Sequence, residues 1–239
     1  MSILADFVDK IISLKNPTII DYAGDRWANQ KFMRIEPHVD RPAAYEVSGL
    51  DSIVQLIRKE IDQVGGFVFV RVSGAKDVWV NTTYQPDLSR NTLYHAKADV
   101  PGFSQGFRDR EEAIIELRSL FMPDAGTEYL LNLLSRMSVD AGATTTDNGV
   151  TQTVEVKSGV ALKEKTDIRP RVKLTPFRTF LEVDQPESEY LLRVSEDGEI
   201  GLFEADGGVW KLEAKRNVKS YMDNALRDLI EAGKVVVMM

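Results

Sequence analysis

Glu204 with Asp206, and Glu187 with Glu189, are carboxylate pairs whose members stand two residues apart. On a continuing strand that spacing puts both members of a pair on one face. There, two acids can divide general acid and base work or hold a Mg²⁺ ion. A simpler reading competes: Asp206-Gly207 suits a hairpin corner, and Gln185-Pro186-Glu187-Ser188 leads into a strand. His38 and His95 are the only histidines; they lie far apart, carry no partner pattern, and read as incidental polar residues. HExxH, DxDxDG, Walker A and GxSxG motifs are all missing. Gly65-Gly66 and Gly207-Gly208 read as turns, because the first pair ends a helix and the second falls between strands. With no cysteine in the chain, disulfides, thiolate zinc sites and cysteine nucleophiles are excluded. Neither a cofactor nor a metal site is expected.

Positive charge offers a second chemistry. Between Thr151 and Phe180 the basic residues Lys157, Lys163, Lys165, Arg169, Arg171, Lys173 and Arg178 face only Glu155, Glu164 and Asp167. This local excess sits in a chain of formal net charge −7. Arg169, Arg171 and Lys173 alternate, so one strand face would carry all three, and Phe177 and Phe180 follow. Cations at Lys163, Lys165, Arg169, Arg171 and Lys173, with Phe177, Phe180 or Trp210 as stacking rings, would suit a single strand of nucleic acid. A solvated strand face is the alternative, and Asp167-Ile-Arg-Pro170 also fits an edge strand defended by charge and proline.

These residues need elements to position them. Ile3, Phe7, Ile11 and Leu14 recur at helical spacing over 2–14, and strands follow at Thr18–Tyr22 and Lys31–Glu36. Ser48-Gly-Leu-Asp51 reads as a capping box opening a helix with Leu50, Ile53, Ile57, Ile61 and Val64 inward, stopped at Gly65-Gly66. Phe67–Val72 and Val78–Tyr84 form a hairpin, and 86–107 is a long excursion with a short strand near Leu93–Ala96. Helices begin at Asp109 and near Thr127. The small, turn-forming segment 140–149 reads as a linker between an N-terminal α+β region, 1–139, and a β-rich region with a final helix, 150–239. In the latter, strands fall at Thr151–Val156 and, in two pieces, between Val160 and Leu174. Tyr190–Val194, Ile200–Glu204 and Val209–Ala214 are expected as an antiparallel meander, then a helix capped by Asn217 and a last strand at Lys234–Met239. The fold class is α+β: helices with β-hairpins first, then an antiparallel sheet with a terminal helix.

Hydrophobic residues at 43% and charged residues at 28% are ordinary for a soluble globular chain of 239 residues. No apolar run spans a bilayer, the N-terminal stretch does not read as a signal peptide, and the cytoplasm is the expected location. Pro176-Phe-Arg-Thr-Phe180, Glu182-Val183, Gln185-Pro186-Glu187-Ser188 and Phe203-Glu-Ala-Asp-Gly-Gly-Val-Trp210 together resemble the signature of a YfdQ-like family of tailed-phage and prophage proteins, most closely over 151–235. The resemblance implies a phage-encoded accessory protein in the cytoplasm of an infected bacterium, with no catalytic residues to carry over. The leading expectation is a non-enzymatic protein that self-associates through its C-terminal ribbon, at Arg178, Glu182 and Trp210. Single-stranded nucleic-acid binding in phage recombination or replication is the second expectation. A nucleotide-binding or carboxylate- or metal-dependent enzyme at Glu204 and Asp206 is the third.

Overall fold

The computed structural model describes residues 6–8, 10–11, 18–28, 34–35, 41, 43–137, 146–147, 152–157, 163–195 and 197–239. It has a mixed fold of helices and sheets in two compact units, Met1–Pro42 with Thr83–Asn91, and Ala43–Thr82 with Thr92–Met239. The first unit holds the antiparallel sheet β1 (Ile19–Tyr22), β2 (Asp25–Ala28) and β3 (Arg34–Ile35). Residues 6–8 and 10–11 are helical, while the rest of the helix expected at 2–14, and His38, lie outside the described residues. In the same unit Ser89 donates to Asp87 from Oγ and from its backbone N, and Arg41 pairs with it, so the Asp87 carboxyl is held down at about 2.

The second unit contains two helix-covered sheets. It begins with β4 (Tyr45–Val47) and helix α1 (Leu50–Glu60), then β5 (Val68–Val72), β6 (Asp77–Asn81) and β7 (Thr92–Lys97). Next come β8 (Gly106–Arg108), α2 (Arg110–Ser119) and α3 (Ala125–Arg136), then β9 (Thr146–Asp147), β10 (Gln152–Lys157), β11 (Lys163–Ile168), β12 (Arg171–Leu174), β13 (Ser188–Val194) and β14 (Ile200–Glu204). Helices α4 (Trp210–Ala225) and α5 (Arg227–Glu231) and strand β15 (Val235–Met238) close it.

Strand order in the first large sheet is β15-β5-β6-β7-β4. Its outer strands run parallel to their neighbours and its inner strands antiparallel. Alternation in β5 and β6 turns Val68, Val70, Val72, Val78 and Val80 to one face, where they meet Leu50, Ile53 and Ile57 of α1 and Val218 and Met222 of α4. Arg58 of α1 holds Asp228 and the Ala225 carbonyl, tying the helices together. In the second sheet the order is β12-β13-β14-β8, antiparallel throughout. Leu117 and Phe121, with Leu130 and Leu134 of α3, pack on its Leu174, Tyr190, Leu192, Ile200 and Leu202 face. Strands β9 to β11 form a third, smaller sheet. The segment expected as a linker lies outside the described residues apart from β9 and the bond it makes to β10. Strands on either side of it share sheets, β8 with β14 and β5 with β15.

Two local expectations change. Val209–Ala214 is not a strand: α4 begins at Trp210, because Ala214, Val218 and Met222 recur every four residues and are buried on one side. The Asp206-Gly207 corner turns the chain into this helix, with Gly207 and Gly208 both at positive φ. Asn217 therefore lies inside α4, where its side chain donates to the Asp184 carbonyl at 2.9 Å. Ser48 does not cap α1 either. Gly49 is the N-cap and makes no side-chain bond; the Glu182 carboxylate accepts the Leu50 N–H at 2.7 Å from far along the chain.

A Cβ on Gly49 would meet Glu182 Oε1 at 2.7 Å, so a side chain there displaces the carboxylate that closes the helix. Gly49→Ala should cost about 1 kcal/mol of stability, the size of a lost cap. Adding Glu182→Ala to it should cost little more. Urea denaturation of both single variants and the double variant measures that non-additivity.

Candidate functional site

The signature stretch 175–187 is a strap between the two layers. At its start Phe177 N donates to the Leu120 carbonyl and Met122 N donates to the Thr175 carbonyl. Farther on, Thr179 Oγ1 donates to the Ala75 carbonyl in the β5–β6 loop, and Phe180, 1% exposed, enters the core under the five-stranded sheet. Gln185 braces the strap: its Oε1 accepts from Arg178 N and Thr179 N, and its Nε2 donates to the Phe180 carbonyl.

Arg178 is the hub of this strap, only 7% exposed. Its Nη1 donates to Glu204 Oε1 at 3.0 Å and reaches Tyr190 OH at 3.5 Å; its Nη2 donates to the Pro186 carbonyl at 3.0 Å and to Ser188 Oγ. The guanidinium lies 4.0 Å above the Trp210 ring, the stacked geometry an arginine fork favours. The Ser188 hydroxyl donates a hydrogen bond to Asp206 Oδ2, and Asp206 Oδ1 accepts the Gly208 N–H at the turn into α4. Burial pushes Asp206 up, but the Ser188 hydroxyl, the Gly208 and Trp210 N–H groups and Arg178 outweigh it, and the carboxyl sits below its ordinary value. Burial pulls Arg178 down against the carboxylates around it and pushes the Tyr190 hydroxyl up.

This geometry brings Glu204 and Asp206 to one place but gives each a partner, and Ser188 between them is 3% exposed. The arrangement clamps β13, β14, the strap and the start of α4 together, and its hydroxyl offers no surface to a substrate. Of the residues expected to meet a second copy, Arg178 is buried in this hub, Trp210 is half-buried against it, and Glu182 is exposed and accepts the Leu50 N–H. Phe180, expected to stack on bases, is a core residue for the same reason, and Phe177 is half-buried.

The alternating cations do share a strand. Arg171 and Lys173 of β12 are exposed and pair with Glu189 at 2.9 Å and Glu187 at 2.7 Å, so the second carboxylate pair is also engaged. Arg169 lies 4.7 Å over the Tyr129 ring and donates its backbone N–H to the Tyr129 hydroxyl. Together these line a cleft of about 530 Å³ with Val172 of β12 and with Asp124 and Gly126 at the start of α3. In β11, Lys165 stands opposite Glu155 and Lys163 opposite Lys157. His95 stacks on Trp79 with ring centroids 3.5 Å apart and lies between Asp77 at 3.1 Å and Glu46 at 3.6 Å. Sequence reasoning missed Ser188 and Tyr190 of the hub and Phe107, Arg193 and Phe203 of the second sheet. Strand alternation in 188–194 was the signal for most of them; β8, three residues long, carried none.

Among the described residues no group of three or more His, Asp or Glu side chains could hold a metal ion, and no helix is long and apolar enough to cross a membrane. Comparison with protein-family models, with curated proteins and with solved structures matches the chain to none of them.

Arg178→Met strands Glu204 and Asp206 beside a buried tyrosine and should cost about 3 kcal/mol in denaturant unfolding. Arg178→Lys should recover only part of it, because an ammonium cannot fork to Ser188 and Glu204 while stacking on Trp210. Asp206 has a lowered folded pKa, so its contribution is complete above the ordinary value of about 3.9 and is lost as pH falls through the folded value. Thermal melts of wild type and Asp206→Asn should differ near neutral pH, in favour of wild type, and converge on acidification below that range.

Proposed function

We propose that this chain is a non-enzymatic accessory protein that works by associating with copies of itself. The observation that supports this most directly is the edge position of β15 in the five-stranded sheet. Edge strands leave a line of backbone N–H and C=O groups free to pair with another chain, and natural proteins usually blunt such edges with charge, proline or a bulge. Val235-Val-Val-Met-Met239 carries none of these devices. Its side chains on the face turned away from the core, Val236 at 41% and Met238 at 36%, are exposed, and Met239 beyond them is half in solvent. The neighbouring charge, Lys234, is occupied by Asp62 at 2.7 Å. Two copies related by a two-fold axis can pair β15 with β15, each strand offering the same apolar residues to the other. The Val236 and Met238 side chains would then continue a row over two five-stranded sheets. This surface replaces the ribbon of Arg178, Glu182 and Trp210 as the seat of association.

The setting is the cytoplasm of a phage-infected bacterium, a reading that rests on the resemblance of Pro176–Phe180 and Phe203–Trp210 to the phage family's signature. In the fold those motifs are the strap and the lead into α4, residues that a shared architecture would retain.

Light scattering at micromolar concentration should give a mass at least twice the 26.9 kDa of one chain. Val236→Lys with Met238→Lys should reduce it to one chain without lowering the unfolding midpoint by more than about 1 kcal/mol equivalent, as expected of surface changes. A wild-type protein that stays at the mass of one chain overturns the reading.

A further inference from the structure

Strands β12, β13, β14 and β8 turn one face to α2 and α3, and among the described residues no helix packs on the other. The alternation is clean: Ser188, Tyr190, Leu192 and Val194 are buried, whereas Glu189, Leu191 and Arg193 between them are partly exposed. Register then fixes what shares the uncovered face. Arg171 stands beside Leu191 and Leu191 beside Phe203; Arg193 stands beside Gly201 and Gly201 beside Phe107. Two adjacent rows thus each carry an arginine and a phenylalanine.

Gly201 makes the rings a platform. A Cβ there would lie 2.7 Å from Phe107 Cε1 and 2.8 Å from Phe203 Cε2, so only a bare backbone lets both rings settle over that point. They meet edge to face, with centroids 5.5 Å apart at 72°, and Phe107 keeps 42% of its surface in solvent. Core packing does not account for an exposed ring seated on a strand glycine.

We propose that this uncovered face binds single-stranded nucleic acid, with bases stacking on Phe107 and Phe203 and phosphates meeting Arg171, Lys173 and Arg193. Stacking needs apolar ring surface reachable from solvent, which the exposed Phe107 and the half-buried Phe203 supply, and a phosphate backbone needs cations alongside, which β12 and β13 supply. The carboxylates on Arg171 and Lys173 do not block this. Both ion pairs are solvent-exposed, and such pairs contribute at most about 1 kcal/mol, so phosphate can replace Glu189 and Glu187 as partner. A duplex buries its base faces and is refused. The formal charge of −7 over the whole chain works against non-specific polyanion binding.

Fluorescence anisotropy with labelled oligo-dT and oligo-rU of about 15 nucleotides tests the assignment on the full chain. Binding should weaken about 20-fold between about 50 and about 200 mM salt, the loss expected for three phosphate contacts on a single strand. Phe107→Ala and Phe203→Ala should each weaken it about tenfold. Arg171→Ala with Lys173→Ala should flatten the salt slope by about 0.7 for each cation removed. Circular dichroism melts check that each variant is folded. Absence of binding by wild type at low salt overturns the proposal, as does wild-type affinity in both folded Phe variants, or equal affinity for duplex. Phe variants that lose oligomer mass but keep oligonucleotide affinity also overturn it, and give the face to a second copy.

Discussion

The charge on Arg178 is the constraint around which the second unit is organised. A guanidinium that loses most of its water must recover several kcal/mol of solvation from its surroundings. Glu204 and Asp206 supply opposite charge, Ser188 and the Pro186 carbonyl supply acceptors, and Trp210 supplies a π face. Those groups come from the strap, β13, the end of β14 and the first residue of α4. Each must be in place before the cation is tolerable, so one buried charge fixes the relative positions of four chain segments. A hydrophobic residue of similar size would fill the space without dictating where the acids, the serine and the indole must stand.

The strap extends this constraint in both directions. Phe180 and the Thr179 hydroxyl reach into the first layer, Glu182 closes the open end of α1, and Phe177 N bonds back to the end of α2. The hydroxyl and carboxylate bonds are modest one by one, about 1 kcal/mol each. Burial of the Phe180 ring adds about 2 to 3 kcal/mol. Together they couple two layers whose buried apolar residues form separate clusters.

How far the sequence could be read follows the range of the interactions involved. Asp109 accepts the Glu112 N–H and starts its helix as its local pattern implies, and Gly233 follows the C-cap of α5 at positive φ; α1 ends at Glu60, short of Gly65-Gly66, which take positive φ in the turn beyond it. Val68–Val72 and Asp77–Asn81 pair as their β-branched composition requires. Ser48 had the same kind of local signal and lost to a carboxylate 132 positions beyond Leu50, which no window around Ser48 contains. Val209-Trp210-Lys-Leu212 begins with a β-branched and an aromatic residue and reads as strand, while the four-residue period that makes it helical emerges only from Ala214 onward. At the candidate sites the residue types were legible and their roles were not. Arg178, Trp210, Glu204 and Asp206 stand out in the sequence, but only the fold shows that they meet at one hub. Phe107 and Phe203 do not stand out until register lays them over Gly201.

The parallel pairing of β15 with β5 has a consequence for biosynthesis. While a ribosome works through the chain, β5, β6 and β7 emerge early, yet the neighbour that covers the outer side of β5 is translated after every residue of the second layer. The nascent first sheet must wait with that flank bare, and helix α4, which roofs its core, arrives equally late. Long-range closure of this kind is slow and leaves apolar strands open to wrong partners. Such a polypeptide would gain from chaperone shelter until release, and its two layers would reach their final form together.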